Sequence, residues 1–148
     1  MAVGRVCNRD VVIIREEESL RDAARLMRAR HVGALVVVGE AAGSRVPIGI
    51  VTDRDIVLAL LRRESDLENL TVAEAMSREP LKLIETEDVS DAIDRMRTRA
   101  VRRAPVVDVA GSLIGIVSID DLLDVLVDQL AALVRLIRRQ PDREDLRR

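Results

Sequence analysis

The chain has 148 residues, 48% of them apolar and 34% charged, with 24 basic against 26 acidic residues and no Phe, Trp or Tyr. This balance is neither disordered nor membrane-like, and a chain of this length buries roughly 70% of its extended surface, enough for one domain or two small fused halves. The missing rings exclude an aromatic platform for single-stranded nucleic acid, an aromatic cage for methylammonium groups and an aromatic groove for proline-rich peptides, and the net charge of −2 leaves no general nucleic-acid footprint.

From the N-terminus, residues 1–10 carry no apolar signal core, and Cys7 is the single cysteine, so neither an intrachain disulfide nor a cysteine-based zinc site is available. No apolar run approaches ~20 residues, so no membrane span is expected and a cytoplasmic location is the default. An extended run at Val11–Ile14 leads to a helix starting near Ser19, with Leu20, Ala23, Ala24 and Met27 as its apolar stripe. Two β-branched runs follow, Ala34–Val38 and Ile48–Val51, separated by turn residues Gly39–Pro47. A second helix begins near Asp53, and the polar stretch Arg62–Leu70 is a connector.

The same order then recurs. Leu81–Ile84 is extended, and a helix from about Asp88 carries Val89, Ala92, Ile93 and Met96. Runs at Val106–Val109 and Leu113–Val117 flank a turn at Ala110–Ser112, and a helix begins at Asp120. Sliding the sequence by 69 positions lays Val3–Val38 over Val72–Val107 with 12 identities in 36 pairs. The register then becomes 66, because the first copy carries three extra residues in its Gly39–Pro47 loop, and Ile48–Asp55 lies over Ile114–Asp121. The fold class is α+β, a β-α-β-β-α unit repeated at residues 3–65 and 71–125.

The last helix overruns the repeat. Leu123, Leu126, Leu130, Leu133 and Ile137 form a two-heptad seam, widened by Val127 and Val134. The helix is expected from Asp120 to Arg139, ending before Pro141, with Pro141–Arg148 a flexible tail. Its apolar face needs cover, either by packing back on the first copy or from a second subunit, and the second is expected, making a homodimer.

The order of elements, Gly-Ile-Val-Thr-Asp-Arg-Asp at 49–55, Gly-Ile-Val-Ser-Ile-Asp-Asp at 115–121, Glu74-Ala75-Met76-Ser77, and Val101-Arg102-Arg103-Ala104-Pro105-Val106-Val107 resemble the CBS domain family. The resemblance covers residues 3–125. It implies two motifs packed pseudo-symmetrically through their sheets into one module, often called a Bateman module. It also implies that the module regulates by binding AMP, ADP, ATP, S-adenosylmethionine or a related ligand in clefts between the motifs. With no fused enzyme or transporter, the regulated target would be a protein acting in trans.

Thr52-x-x-Asp55 and Ser118-x-x-Asp121 carry the chemistry. A carboxylate can accept both ribose hydroxyls, and a strand end running into a helix N-terminus offers backbone N–H groups to phosphate. The same pattern is also the ordinary capping box. The resemblance assigns these four residues to ribose, and capping and binding are compatible. It assigns phosphate contacts to Arg102 and Arg103, whose planar forks suit phosphate oxygens. Gly33 and Ala34 hold the equivalent places in the first copy, so one well-formed site for a charged nucleotide is expected rather than two.

His31 reads as a surface or cap residue. Asp53, Asp55, Asp120, Asp121 and Asp124 suit helix first turns better than a metal site. With one His and one Cys no nucleophile–base–acid set can be assembled, so no catalysis, obligatory cofactor or metal is expected. The competing reading is a ligand-free dimeric scaffold whose C-terminal helix is the working surface.

Overall fold

A computed structural model of the chain describes residues 1–63 and 66–145. Part of the expected connector (64–65) and of the expected tail (146–148) lies outside the described residues. Strand β1 (Ile13–Arg15) leads to helix α1 (Leu20–Arg30), strands β2 (Ala34–Ala41) and β3 (Ser44–Thr52), and helix α2 (Asp53–Arg63). The second unit runs through α3 (Val72–Ala75), β4 (Ser77–Arg78), β5 (Leu83–Ile84), α4 (Val89–Thr98), β6 (Arg103–Val107), β7 (Leu113–Ser118) and α5 (Ile119–Asp145).

The helices start where the sequence supplies caps. Ser19 Oγ accepts the Asp22 N–H at 3.1 Å, and Asp88 accepts the Ser90 N–H at 3.1 Å. Leu20, Ala23 and Met27 of α1 and Val89, Ala92 and Met96 of α4 are buried, and Ala24 and Ile93, the remaining members of the two expected stripes, are partly buried. In each unit a parallel pair (β1 with β2, β5 with β6) continues into an antiparallel hairpin (β2 with β3, β6 with β7).

Several boundaries differ from the sequence reading. Gly39–Pro47, expected as a turn, is mostly strand. Only Ala42 and Gly43 turn the chain, both at positive φ (50° and 77°), the geometry that matches hairpin twist. Pro47 is tolerated inside β3 because β4 pairs only at Gly49 and Ile50 and a register shift lies opposite, between Val37 and Val38. The expected strand Val106–Val109 ends at Val107. Asp108 takes over there, its Oδ1 accepting the N–H groups of Ala110 and Ser112 at 2.9 Å each. Helix α5 passes the expected stop at Arg139 and continues through Pro141 to Asp145. Proline's fixed φ is a helical value, so the helix forgoes one N–H bond and continues.

The two units exchange their leading segments. Val3 belongs to the core of the second unit with Leu83, Val106 and Val117, whereas Val72, Ala75 and Met76 belong to the first with Leu20, Leu35 and Val51. The backbone shows the same crossing twice. Val3 and Gly4 N–H donate to Glu87 and Glu85 O at 2.8 and 2.9 Å, and Val72 and Ala73 N–H donate to Glu18 and Glu16 O at 2.8 and 3.0 Å. Strand β4 borders β3, and at the corresponding edge of β7 Asn8 and Ile116 exchange N–H···O bonds of 2.8 and 2.9 Å. The sheets also face each other through β3 and β7. No described residue places a polar or charged side chain in the aliphatic core.

Candidate functional site

Thr52 ends β3 and Asp55 lies in the first turn of α2. Asp55 Oδ2 accepts the Thr52 N–H at 2.9 Å, and Thr52 Oγ1 accepts the Asp55 N–H at 3.1 Å. At the end of β7, Asp121 Oδ2 accepts both the N–H and the hydroxyl of Ser118 at 2.9 Å, and Ser118 Oγ accepts the Asp121 N–H at 3.2 Å. Both pairs are capping boxes. In each, one carboxylate oxygen, Oδ1, has no hydrogen-bond partner among the described residues and keeps its accepting capacity.

Around Thr52 the two units enclose a cleft of about 430 Å³. The first unit contributes Ile50, Thr52, Asp53 and Arg54. The second contributes the segment from Ser77 to Leu81 together with Arg99, Val101, Arg102 and Arg103. Thr52 therefore shares one cleft with Arg102 and Arg103. Asp55, Ser118 and Asp121 do not line this cleft.

The walls divide by chemistry. Ile50, Pro80, Leu81 and Val101 form an aliphatic surface, while Arg54, Arg78, Arg99, Arg102 and Arg103 oppose only Asp53 and Glu79 as carboxylates. Two of these arginines are held by the chain: Arg78 pairs with Glu16 at 3.4 Å, and Arg99 donates to the Glu79 carbonyl at 3.1 Å. Arg102 is fixed through its backbone, since its carbonyl accepts the Ile119 N–H at 2.8 Å at the start of α5. An excess of arginine along the lining of a concave site raises the local concentration of anions.

The duplicate positions around Ser118 lack that excess. Arg9, Arg30, Gly33, Ala34 and Asp120 replace Arg78, Arg99, Arg102, Arg103 and Arg54, and Arg30 is neutralised by Asp10 at 2.8 Å. Sequence reasoning found Arg102 and Arg103 but not Arg54, Arg78 and Arg99. The signal was the repeat itself, because Arg78 and Arg99 are duplicates of Arg9 and Arg30, and a paired module turns the second copy's loops toward the first copy's Thr52.

Cys7 duplicates Met76 and packs against Gly115. Burial, outweighing the nearby Arg9, pushes its thiol up from the ordinary value. His31 is the exposed C-cap of α1 with φ 54° and ψ 45°. Among the described residues no group of three His, Cys, Asp or Glu side chains converges to hold a metal ion, and no helix is long and apolar enough to cross a membrane.

The model of the CBS domain matches this chain twice, at residues 3–62 and 72–128. The chain belongs to the CBS domain family. An uncharacterised protein of Methanopyrus kandleri is 34% identical over 125 residues, which is 84% of this chain and 62% of that protein, so the chain spans less than two thirds of this relative. The homoserine O-acetyltransferase of Methanohalophilus mahii is 34% identical over 125 residues, 82% of this chain but only 24% of the enzyme. Among solved structures, a CBS domain protein of Pyrobaculum aerophilum complexed with AMP superposes with a TM-score of 0.71 at 25% identity, over 82% of this chain and 90% of its own. A CBS domain pair solved with 5′-methylthioadenosine and S-adenosylmethionine gives a TM-score of 0.74 at 23% identity over 87% and 98%, a likeness of fold. Tandem CBS pairs are regulatory modules.

Proposed function

We propose that this CBS pair is a non-catalytic cytoplasmic sensor that binds a phosphorylated adenosine ligand (AMP, ADP or ATP) in the cleft between its motifs and signals to a partner protein in trans. The observation that carries this reading is the cleft's composition: five arginines against two carboxylates, beside an aliphatic wall and the end of β3 at Thr52. Adenine packs on Ile50, Pro80, Leu81 and Val101 and is identified by backbone hydrogen bonds. Arg102 and Arg103 take the phosphate, Thr52 on the cleft wall meets the ribose, and Asp55, bonded to Thr52 but off the wall, turns its Oδ1 toward the ribose on binding. Ser118 and Asp121 are the corresponding ribose groups of a second, weaker site with no arginine excess. S-adenosylmethionine, cationic at sulfur, is disfavoured by the same arginines. The AMP complex of the Pyrobaculum relative supports the ligand class. No cofactor is needed for such a role. Binding regulates by favouring one arrangement of the two motifs over another, which requires differential affinity for the two.

Calorimetric titration with AMP, ADP, ATP, adenosine and S-adenosylmethionine tests this. The nucleotides bind more tightly than adenosine, S-adenosylmethionine binds more weakly than AMP, and Arg102→Ala with Arg103→Ala lowers AMP affinity at least about tenfold, the loss of one charge-assisted contact. Absence of nucleotide binding below millimolar, or affinity unchanged in the double variant, overturns the assignment. The second reading, a scaffold acting without ligand, is favoured by one observation, the exposed Leu-rich face of α5.

A further inference from the structure

A concave feature separate from both strand ends lies where the tips of the two hairpins meet. It is a cavity of about 320 Å³, with Ser44 and Arg45 from the β2–β3 hairpin, Ser112 from the β6–β7 hairpin and Arg9 from the segment ahead of β1. Ser44 and Thr52 stand at opposite ends of the nine-residue β3, roughly 26 Å apart, and Leu113 and Ser118 at opposite ends of the six-residue β7, roughly 17 Å apart. No residue lining the Thr52 cleft lines this cavity, and neither do Ser118 and Asp121. The first hairpin is longer than the second by three residues, and Arg45 lies in the lengthened stretch. The second hairpin carries no arginine between Val107 and Ile114, so the cavity belongs to one side of the repeat alone.

The lining holds two guanidinium groups, two hydroxyls and no carboxylate. Among the described residues Arg45 forms no ion pair or side-chain hydrogen bond, and the Ser44 and Ser112 hydroxyls have no partner. Arg9 is steadied by one bond of 3.1 Å to the Gly4 carbonyl. The acids nearest in sequence or register are already occupied. Asp10 holds Arg30 at 2.8 Å, Glu40, opposite Arg45 in the hairpin, holds Arg15 at 2.8 Å, and Asp108 accepts the N–H groups of Ala110 and Ser112. Beside these polar groups the wall is aliphatic, from Val11, Leu113 and Ile114.

We infer that this cavity binds a small phosphomonoester, its phosphate held by Arg9, Arg45 and the two serine hydroxyls and its short carbon body resting on the aliphatic wall. Two cations facing no acid match a dianion, and a phosphomonoester is largely dianionic above its second pKa of about 6. The Arg45 fork, free of other partners, can bridge two phosphate oxygens. The volume is at the small end of ligand pockets, which begin near 300 Å³ at about this size. The lining has no counterpart of the Thr52 and Asp55 pair proposed for ribose, so the body need not be a nucleoside. The ligand ties the two hairpin tips together at the far end of β3 from Thr52, and its binding does not depend on the nucleotide reading.

Amide NMR titration of the full chain with glycerol 3-phosphate, inorganic phosphate and glycerol tests this, in an Arg102→Ala, Arg103→Ala background that weakens the Thr52 cleft. Glycerol 3-phosphate shifts the Ser44, Arg45 and Ser112 signals, inorganic phosphate binds more weakly, and glycerol does not bind. Arg45→Ala lowers the affinity at least about tenfold, and Arg45→Lys recovers only part of it, because the charge returns without the fork. The side chain is exposed, so both variants keep the thermal midpoint within a few degrees. In the otherwise wild-type chain Arg45→Ala leaves AMP binding at the Thr52 cleft unchanged, which tells the two sites apart. Absence of shifts at these amides up to about 10 mM glycerol 3-phosphate, equal affinity for inorganic phosphate, affinity unchanged by Arg45→Ala, or shifts centred on Ser118 and Asp121 overturns the proposal.

Discussion

At the scale of single residues, Asp55 does one job with its carboxylate and is proposed for a second. Oδ2 is engaged by the Thr52 N–H and closes the capping box, and Oδ1 remains free to accept a further hydrogen bond. Ser19 is a control that shares only the first job, since its hydroxyl caps α1 on the Asp22 N–H. Asp55→Ala and Ser19→Ala should each cost about 1 kcal/mol of stability, as cap removals do. In a chain of this size that is a fall of roughly 2–5 °C in the thermal midpoint. Only Asp55→Ala should also weaken AMP binding. Calorimetry on the two variants, by heating and by titration, separates the roles, and equal AMP affinity in both would leave Asp55 a cap alone. The capping chemistry was legible in the sequence because Ser/Thr-x-x-Asp is a local pattern. Which cleft each pair faces was not legible, because that depends on contacts between copies some fifty residues apart.

At the scale of elements, the Gly-Ile-Val strands carry a requirement that only the crossing segments explain. A Cβ at Gly49 would stand 2.8 Å from the Ser77 carbonyl oxygen and from Met76 Sδ, and one at Gly115 would stand 2.7 Å from Cys7 Sγ and 3.0 Å from the Asn8 carbonyl oxygen. Each glycine is the place where the leading segment of the other unit passes over the strand. Gly49→Ala and Gly115→Ala should each destabilise by about 1–3 kcal/mol, since backbone atoms must move to admit the methyl. At Gly39 the hypothetical Cβ meets only side-chain atoms of Ile48, the nearest at 3.3 Å, so Gly39→Ala should cost less. Urea denaturation of the three variants checks the order, and a Gly39→Ala cost equal to the others would remove the crossing-segment explanation. The long helices and the hairpin strands could be read from periodicity and caps. Strand β4 could not, because two exposed residues have no period, and its duplicate at Asn8 is a single bridge. Proline at 141 and glycine at 39 misled in the same way: each is a breaker in isolation, and each is absorbed where the backbone angle suits it or a bulge lies nearby.

At the scale of the whole molecule, the exchange of leading segments binds the two CBS motifs into one cooperative body. Val3 is fully buried in the second unit and Val72 fully buried in the first, although each precedes the other unit in the chain. Truncating Val3 to Ala removes two methyl groups from the second core, about 1.5–3 kcal/mol with the cavity included. If the units were independent, that loss would lower the midpoint of one half and leave the other in place. Because Val72, Ala75 and Met76 must leave the first core when the second unit's leading segment detaches, and Val3 to Asn8 must leave the second when the first unit's does, loosening either unit strips part of its neighbour's core. Val3→Ala and Val72→Ala should therefore each shift a single unfolding transition by similar amounts. Differential scanning calorimetry reads this directly: one peak whose calorimetric and van't Hoff enthalpies agree supports the coupling, and a second resolved peak in either variant refutes it. The same coupling bears on regulation. The cleft at Thr52 is bounded by Ser77 and Arg78 of β4, the stretch between Met76 in the first core and Leu81 in the second, so in the proposed complex a ligand bridging Thr52 and Arg102 would press on chain that leads into both cores. The Arg102 carbonyl accepts the Ile119 N–H at 2.8 Å, so under the proposed function a ligand held by Arg102 would have a direct backbone route to the start of α5.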